Sequence, residues 1–293
     1  FHMRLGRKLR AIGIPVLHYI APKLWAWGSW RVRKLRQSQD ALACILPFEP
    51  DWFAAHGIRA RYVGNPSAHA CREGWDRDEF RRRLGLTADQ KVLAVLPGSR
   101  RQELSAHLDI LAEVVELLRS ADPGLVVVTP VAPGLREREL QPLWRAGARA
   151  IERRHPHYAL RADAAIAVSG TATLELGLWG VPTVLVYRSS PLTMFLARRL
   201  VKLNCAGLAN IILDDQPVMP ELIQEQCTSD NILRHIRPLL AGEPPAAAQR
   251  RALAGLWQRL GDANPALGCM DLVDHLLRDS GSENSEKRGL DGA

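Results

Sequence analysis

The sequence predicts an α/β protein built on parallel sheets and divided into about two domains. Three observations carry this. Four runs, Lys91–Leu96 (KVLAVL), Leu125–Thr129 (LVVVT), Ala164–Val168 (AAIAV) and Thr183–Tyr187 (TVLVY), are continuously apolar, without the polar alternation of a half-solvated strand. Helical segments separate them, which is the pattern of a parallel sheet covered on both faces. The 293 residues also exceed what one small core comfortably organises.

Composition narrows the class. Hydrophobic residues make up 47% of the chain, enough for a folded protein. Lys and Arg outnumber Asp and Glu by 39 to 31, a formal charge of +8. Such a surface suits nucleic acid, anionic lipid or phosphorylated substrates, and charge alone does not choose. Five cysteines (Cys44, Cys71, Cys205, Cys227 and Cys269) are widely spaced and contain no Cys-x-x-Cys pair. That argues against a zinc site or disulfide framework and for a reducing cytoplasm. No run reaches the roughly 18 apolar residues of a membrane span. The opening Phe1-His2-Met3 lacks a secretory signal and a plausible initiator, so the natural beginning is expected to lie upstream.

Taken in order, Pro15–Ile20, Ala41–Phe48 and Arg59–Val63 read as short buried strands, with helices at Trp30–Ser38 and Glu49–His56. Gly64-Asn65-Pro66 punctuates the chain, and Ser67–Trp75 reads as a linker. After KVLAVL comes a Gly-bearing turn, then a long helix with Leu104, Leu108, Leu111, Val115 and Leu118 on one stripe. The polar end, 279–293, is expected to be disordered. The expected domains are therefore 1–66 and 67–278, followed by this tail.

Two strand-to-helix turns carry the chemistry. Leu96-Pro97-Gly98-Ser99-Arg100 follows the first apolar strand, where open α/β sheets bind their ligands. Gly98 permits close backbone approach, Ser99 can hydrogen-bond, and Arg100 can grip a phosphate. A plain turn with a surface Arg is the competing reading. Ser169-Gly170-Thr171-Ala172-Thr173-Leu174-Glu175 has the same context. The free amides of its first helical turn form an anion site, and Glu175 is placed to accept from ribose hydroxyls. Two such turns in one sheet favour a bound diphosphate, hence a nucleotide. Arg188, at a strand end, is either a further phosphate ligand or a solvated charge. Asn210 lies in a loop where polar side chains often serve turns.

Leu192–Lys202 (LTMFLARRLVK) reads as an amphipathic helix, with basic Arg198, Arg199 and Lys202. It is either half-buried against a core or resting on anionic lipid. Trp25, Trp27 and Trp30 admit the same two settings. The nine histidines, His155 and His157 among them, show no metal-ligand spacing.

With these motifs in place the chain resembles bacterial lipid-A-disaccharide synthase over nearly its whole length. The residues that carry the resemblance are His18-Tyr19-Ile20-Ala21-Pro22 with Trp25-Ala26-Trp27, Leu46-Pro47-Phe48-Glu49, Leu96–Arg100 and Ser169–Glu175. Further along they are Tyr187-Arg188, Leu196–Lys202, Leu208-Ala209-Asn210 and Glu221–Glu225. The resemblance implies a GT-B fold, two Rossmann-like domains with parallel sheets, the first of them incomplete here. It implies an inverting transfer of 2,3-diacylglucosamine from UDP to 2,3-diacylglucosamine 1-phosphate, without metal or other cofactor. It further implies work at the cytoplasmic face of the inner membrane with no nucleic-acid partner, and leaves a homodimer open.

In this picture Arg100 and Asn210 stabilise the leaving group. Gly98, Ser99, Arg100, Ser169, Gly170, Thr171, Ala172, Glu175, Arg188 and Asn210 hold the nucleotide, and Arg198, Arg199 and Lys202 touch the membrane. The family's Gly-rich acidic loop and catalytic aspartate fall before Phe1, so the 293 residues alone are expected to bind UDP without forming product. Asn65 stands where the family often has His, and Arg101 where a small residue is common. A UDP-sugar epimerase of related fold and a non-catalytic UDP-sugar module remain as alternatives.

Overall fold

Three short runs near the start pair side by side as one parallel sheet: Leu17–Tyr19 (β1), Ala41–Cys44 (β2) and Ala60–Tyr62 (β3), in the order β1-β2-β3. The computed structural model describes residues 1–87, 89–132, 134–151, 159–190, 194, 199–200 and 203–290, with backbone alone for 280–290. The described chain divides into two compact units. Unit 1 comprises Phe1–His69, Leu200–Lys202 and Arg259–Ala293, and unit 2 comprises Ala70–Arg199 and Leu203–Gln258.

In unit 1 a basic helix, His2–Ala11 (α1), precedes β1. Gly6 is its one buried residue, and a Cβ there would sit 2.1 Å from the Ser38 carbonyl oxygen, so only glycine lets the helix lie so close. Val32–Arg36 (α2) and Glu49–Ala54 (α3) cover the sheet, burying Val32, Leu35 and Phe53 with Leu24, Leu42 and Ile58. The expected strand over Ala41–Phe48 stops at Cys44. Beyond it the Glu49 carboxylate accepts the amides of Ile45 at 3.2 Å and Leu46 at 3.0 Å and bends the chain into α3. The stretch expected as a linker is partly helical, Pro66–Cys71 (α4), because Pro66 takes the first helical position, where its missing N–H costs nothing.

Unit 2 begins with Arg77–Arg83 (α5), capped by Asp76, whose carboxylate accepts the Glu79 amide. It then lays down six parallel strands: Val92–Leu96 (β4), Val126–Pro130 (β5), Arg149–Ile151 (β6), Ala164–Val168 (β7), Thr183–Tyr187 (β8) and Glu221–Ile223 (β9). Their order is β6-β5-β4-β7-β8-β9. The chain builds outward from β4 in one direction, then restarts at β7 on the other side. This places a topological switch point between β4 and β7, where doubly wound sheets bind ligands outside the carboxyl ends. Arg101–Ala121 (α6) buries Leu104, Leu111, Val115 and Leu118 of the predicted stripe, with Leu108 partly buried. Gln141–Arg145 (α7), Thr171–Leu178 (α8), Leu208–Ile212 (α9) and Ser229–Ala241 (α10) complete the cover.

Pro244–Leu260 (α11) and Pro265–Leu290 (α12) end the described chain. The expected second domain ran to 278, whereas α12 belongs to unit 1: Leu272 and Leu276 bury against Ala41, Ala43 and Val63. A Cβ on Gly268 would meet the Val63 carbonyl oxygen at 2.7 Å. The end expected to be disordered continues this helix as far as Leu290. Extending an existing helix avoids the cost of nucleating one.

Candidate functional site

β4 ends at Leu96 and β7 at Val168, and each strand turns directly into a helix. The two turns, with Pro130 and Ala132 from the end of β5, line one cleft of about 150 Å³. Seven predicted nucleotide-site residues meet there: Gly98, Ser99, Arg100, Ser169, Gly170, Thr171 and Ala172. The volume suits a diphosphate better than a whole nucleotide-sugar, since full ligand pockets run to roughly 300–1,000 Å³. A larger groove of about 430 Å³, bounded by Val218, Arg234, Pro238 and Ala252, shares no lining residue with this cleft.

The two turns are chemically unlike. In the first, Gly98 has φ +105, and a Cβ there would lie 2.6 Å from Cβ of Glu103. Glu103 folds back over the turn. Its Oε2 accepts the amides of Ser99 at 2.8 Å and Arg100 at 3.2 Å, and its Oε1 takes Arg100 Nη1 at 2.8 Å. Burial pushes the Glu103 carboxyl up, but these amides and the guanidinium outweigh it and hold the group below its ordinary range. The amides of Ser99 and Arg100, just before α6, are therefore spent within the chain.

The second turn is open. Among the described residues nothing accepts the amides of Gly170, Thr171 or Ala172, and the Thr171 hydroxyl, on an exposed residue, has no partner. These groups sit at the positive end of the α8 dipole. Gly170 has φ 173 and ψ −166, extended backbone open to any residue, and a Cβ there would find only the Val168 carbonyl oxygen, at 4.0 Å. The fold does not require glycine at 170. Ser169, in contrast, spends its hydroxyl on the Ala206 carbonyl at 2.9 Å, tying the loop before α9 to the cleft.

Behind the first turn lies His107, fully enclosed. Its Nδ1–H donates to the Glu103 carbonyl at 2.7 Å, and its Nε2 accepts the Arg188 amide, also at 2.7 Å. A carbonyl can only accept and an amide only donate, which fixes the tautomer. Burial lowers the imidazole pKa; the Glu103 carbonyl opposes this and the Arg188 charge reinforces it, so the ring is neutral at pH 7.

Three expected nucleotide ligands lie elsewhere. Asn210 is completely buried. Its amide nitrogen donates to the Met219 carbonyl and to Glu221 Oε1, both at 2.8 Å, and its oxygen accepts the Met219 amide at 2.9 Å. It pins α9 to the approach to β9, and it does not line the cleft. Arg188 turns its guanidinium to the Cys227 carbonyl and does not line the cleft. Glu175, half-buried one turn into α8, does not line it either. Of the expected membrane contacts, Arg198 and Lys202 lie outside the described residues, as do His155 and His157, while Arg199 is exposed.

Glu103 and His107 were missed by sequence reasoning. For Glu103 a signal existed, an acid three residues after a helix start. His107 sits beside Leu108 on a stripe that otherwise reads as core. The motifs of unit 1 gather around another carboxylate: Trp25 Nε1 donates to Glu49 Oε1 at 3.0 Å, and Asn65 Nδ2 to the Ile45 carbonyl at 2.9 Å. Burial raises the Glu49 pKa against the hydrogen bonds it accepts from Trp25 and the Ile45 and Leu46 amides. Trp27 and Trp30 are 48% and 64% exposed, so they are not core.

Solved structures with this architecture include sucrose-phosphate synthase from Thermosynechococcus elongatus. Its TM-score is 0.56 at 13% identity, covering 94% of this chain and 72% of that one. Another is UDP-GlcNAc 2-epimerase from Neisseria meningitidis bound to UDP-GlcNAc, with TM-score 0.55 at 12% identity, covering 94% and 73%. Fold and cleft thus define a GT-B α/β protein, a class that holds both sugar transferases and epimerases. Sequence separates the two. The family described as lipid-A-disaccharide synthetase matches residues 1–257. Lipid-A-disaccharide synthase of Myxococcus xanthus is 37% identical over 280 residues, 94% of this chain and 73% of that protein. The Trichlorobacter lovleyi synthase is 39% identical over 265 residues, 89% and 69%. The chain belongs to the lipid-A-disaccharide synthetase family and is a glycosyltransferase of lipid A disaccharide formation.

Proposed function

We propose that the cleft seats the diphosphate of UDP while a 2,3-diacylglucosamine unit leaves it for the 6-hydroxyl of 2,3-diacylglucosamine 1-phosphate, with inversion at the anomeric carbon. The observation that carries this is the turn at the start of α8, where among the described residues three amides and a hydroxyl have no partner, in one cleft with Arg100. As the glycosidic bond to the diphosphate breaks, negative charge gathers on the departing oxygens. Preorganised amides and a guanidinium stabilise that charge more than they stabilise the bound donor, which is the condition for accelerating the step. Among the described residues the one carboxylate that lines the cleft, Glu103, is committed to its own turn and is not placed as the base for the acceptor hydroxyl.

An epimerase shares the architecture, and family membership favours transfer over it and over a non-catalytic module. The test is a UDP titration of the full-length protein and its Arg100→Ala variant. Loss of a charge-assisted phosphate contact worth about 1.5–3 kcal/mol should weaken binding about 10- to 100-fold. Unchanged affinity would remove Arg100 from the site.

A further inference from the structure

Arg100 is the cation of the cleft, yet its side chain is 81% exposed and bound through a single nitrogen. A long side chain in water spreads over many rotamers, and gathering it onto a ligand costs entropy. What restrains it is Glu103, only 18% exposed on its side chain, lying against Gly98 where any Cβ would collide with it. Glu103 is itself braced from behind. His107 binds its backbone carbonyl, and the Arg188 amide at the end of β8 fixes the other side of that imidazole. An acid in a diphosphate site would ordinarily repel the ligand. Here its charge is spent on two amides and one guanidinium nitrogen, leaving the other donors of the Arg100 fork for an anion.

We propose that Glu103, braced by His107, is the positioning residue that presents Arg100 to the departing diphosphate. The inference rests on the reading that the cleft holds the diphosphate. The diphosphate gains charge as the sugar leaves, so a misplaced Arg100 harms the chemical step more than donor binding. Glu103→Gln keeps the size of the side chain and removes the charge that holds Arg100.

The experiment is a double-mutant cycle on the full-length enzyme, measuring kcat and KM for the UDP-sugar in Arg100→Ala, Glu103→Gln and the double variant. Misplacement of a reacting group commonly costs up to about 100-fold, so Glu103→Gln should lower kcat at least about tenfold while KM moves less than about threefold. In the Arg100→Ala background the same change should have no further effect, because Glu103 acts through Arg100. Full kcat in Glu103→Gln, or losses that multiply in the double variant, overturn the proposal. Should Glu103→Gln fail to fold, Glu103→Asp decides. It keeps a negative charge at the helix start and withdraws it by one methylene from the guanidinium, so normal melting with lowered kcat supports the proposal and full kcat overturns it. An Arg100→Ala enzyme with unchanged kcat and KM overturns the diphosphate reading itself and this inference with it. A slow Arg100→Ala beside an unaffected Glu103 series overturns the inference alone.

Discussion

Gly98 and Gly170 occupy corresponding places in the two turns and are there for opposite reasons. Gly98 serves the protein: its φ of +105 and the 2.6 Å approach of Glu103 leave no room for a side chain. Gly170 has an ordinary extended backbone and open space at its Cβ, so the fold itself does not demand glycine there. Gly98→Ala is therefore expected to destabilise the fold by about 1–2 kcal/mol from the backbone alone, with more from the clash. Gly170→Ala should leave the denaturation midpoint unchanged and still weaken UDP, because in the proposed seating the added methyl group would meet the diphosphate oxygens. Denaturant melts and UDP titrations of the two variants check this. A Gly170→Ala protein that binds UDP normally would show the α8 turn to be a simple connection. Both glycines were legible in the sequence as members of phosphate-type turns. Which of them the fold itself requires was not, because that depends on where the Glu103 side chain folds back.

At the scale of elements, the strands that frame the cleft were legible and the edges of the sheet were not. β4, β5, β7 and β8 are continuous apolar runs because they are buried on both faces, and their positions match the reading to within a residue or so. β6 and β9 are three-residue edge strands carrying Arg149 and Glu221, too short and too polar to signal themselves. The register of β4 against β7 depends on a residue that no strand pattern reveals. Asp163, buried just before β7, accepts the Val92 amide at 2.8 Å and Arg77 Nη2 at 2.7 Å. Asp163→Ala strands a buried amide at the start of β4 and should cost about 2–3 kcal/mol. Arg77, 52% exposed on its side chain, is a surface partner whose removal should cost under about 1 kcal/mol. Equal losses in urea melts of the two variants would contradict this division. Asn210 marks the limit of motif reading. Its place in the family pattern suggested a ligand, and only the geometry of α9 against β9 shows the hydrogen bonds its amide makes within the chain.

For the whole molecule, the described chain divides into two compact units whose boundary is not a single cut in the chain. α12 returns to unit 1, a long-range pairing that composition and periodicity do not encode. The family, in contrast, was legible, because the order and spacing of many short motifs is far more specific than any one of them. What joins sequence, fold and family is the switch point between β4 and β7, with Glu103 closing the Ser99 and Arg100 amides of one turn while, among the described residues, nothing accepts the Gly170, Thr171 and Ala172 amides of the other. A crystal structure of the full-length protein with UDP tests that claim most directly. The diphosphate oxygens are expected within hydrogen-bond distance of the Thr171 and Ala172 amides and of the Arg100 guanidinium, with Glu103 still on the Ser99 and Arg100 amides. UDP bound with its diphosphate away from the start of α8, or seated on the α6 turn with Glu103 displaced, would contradict the account.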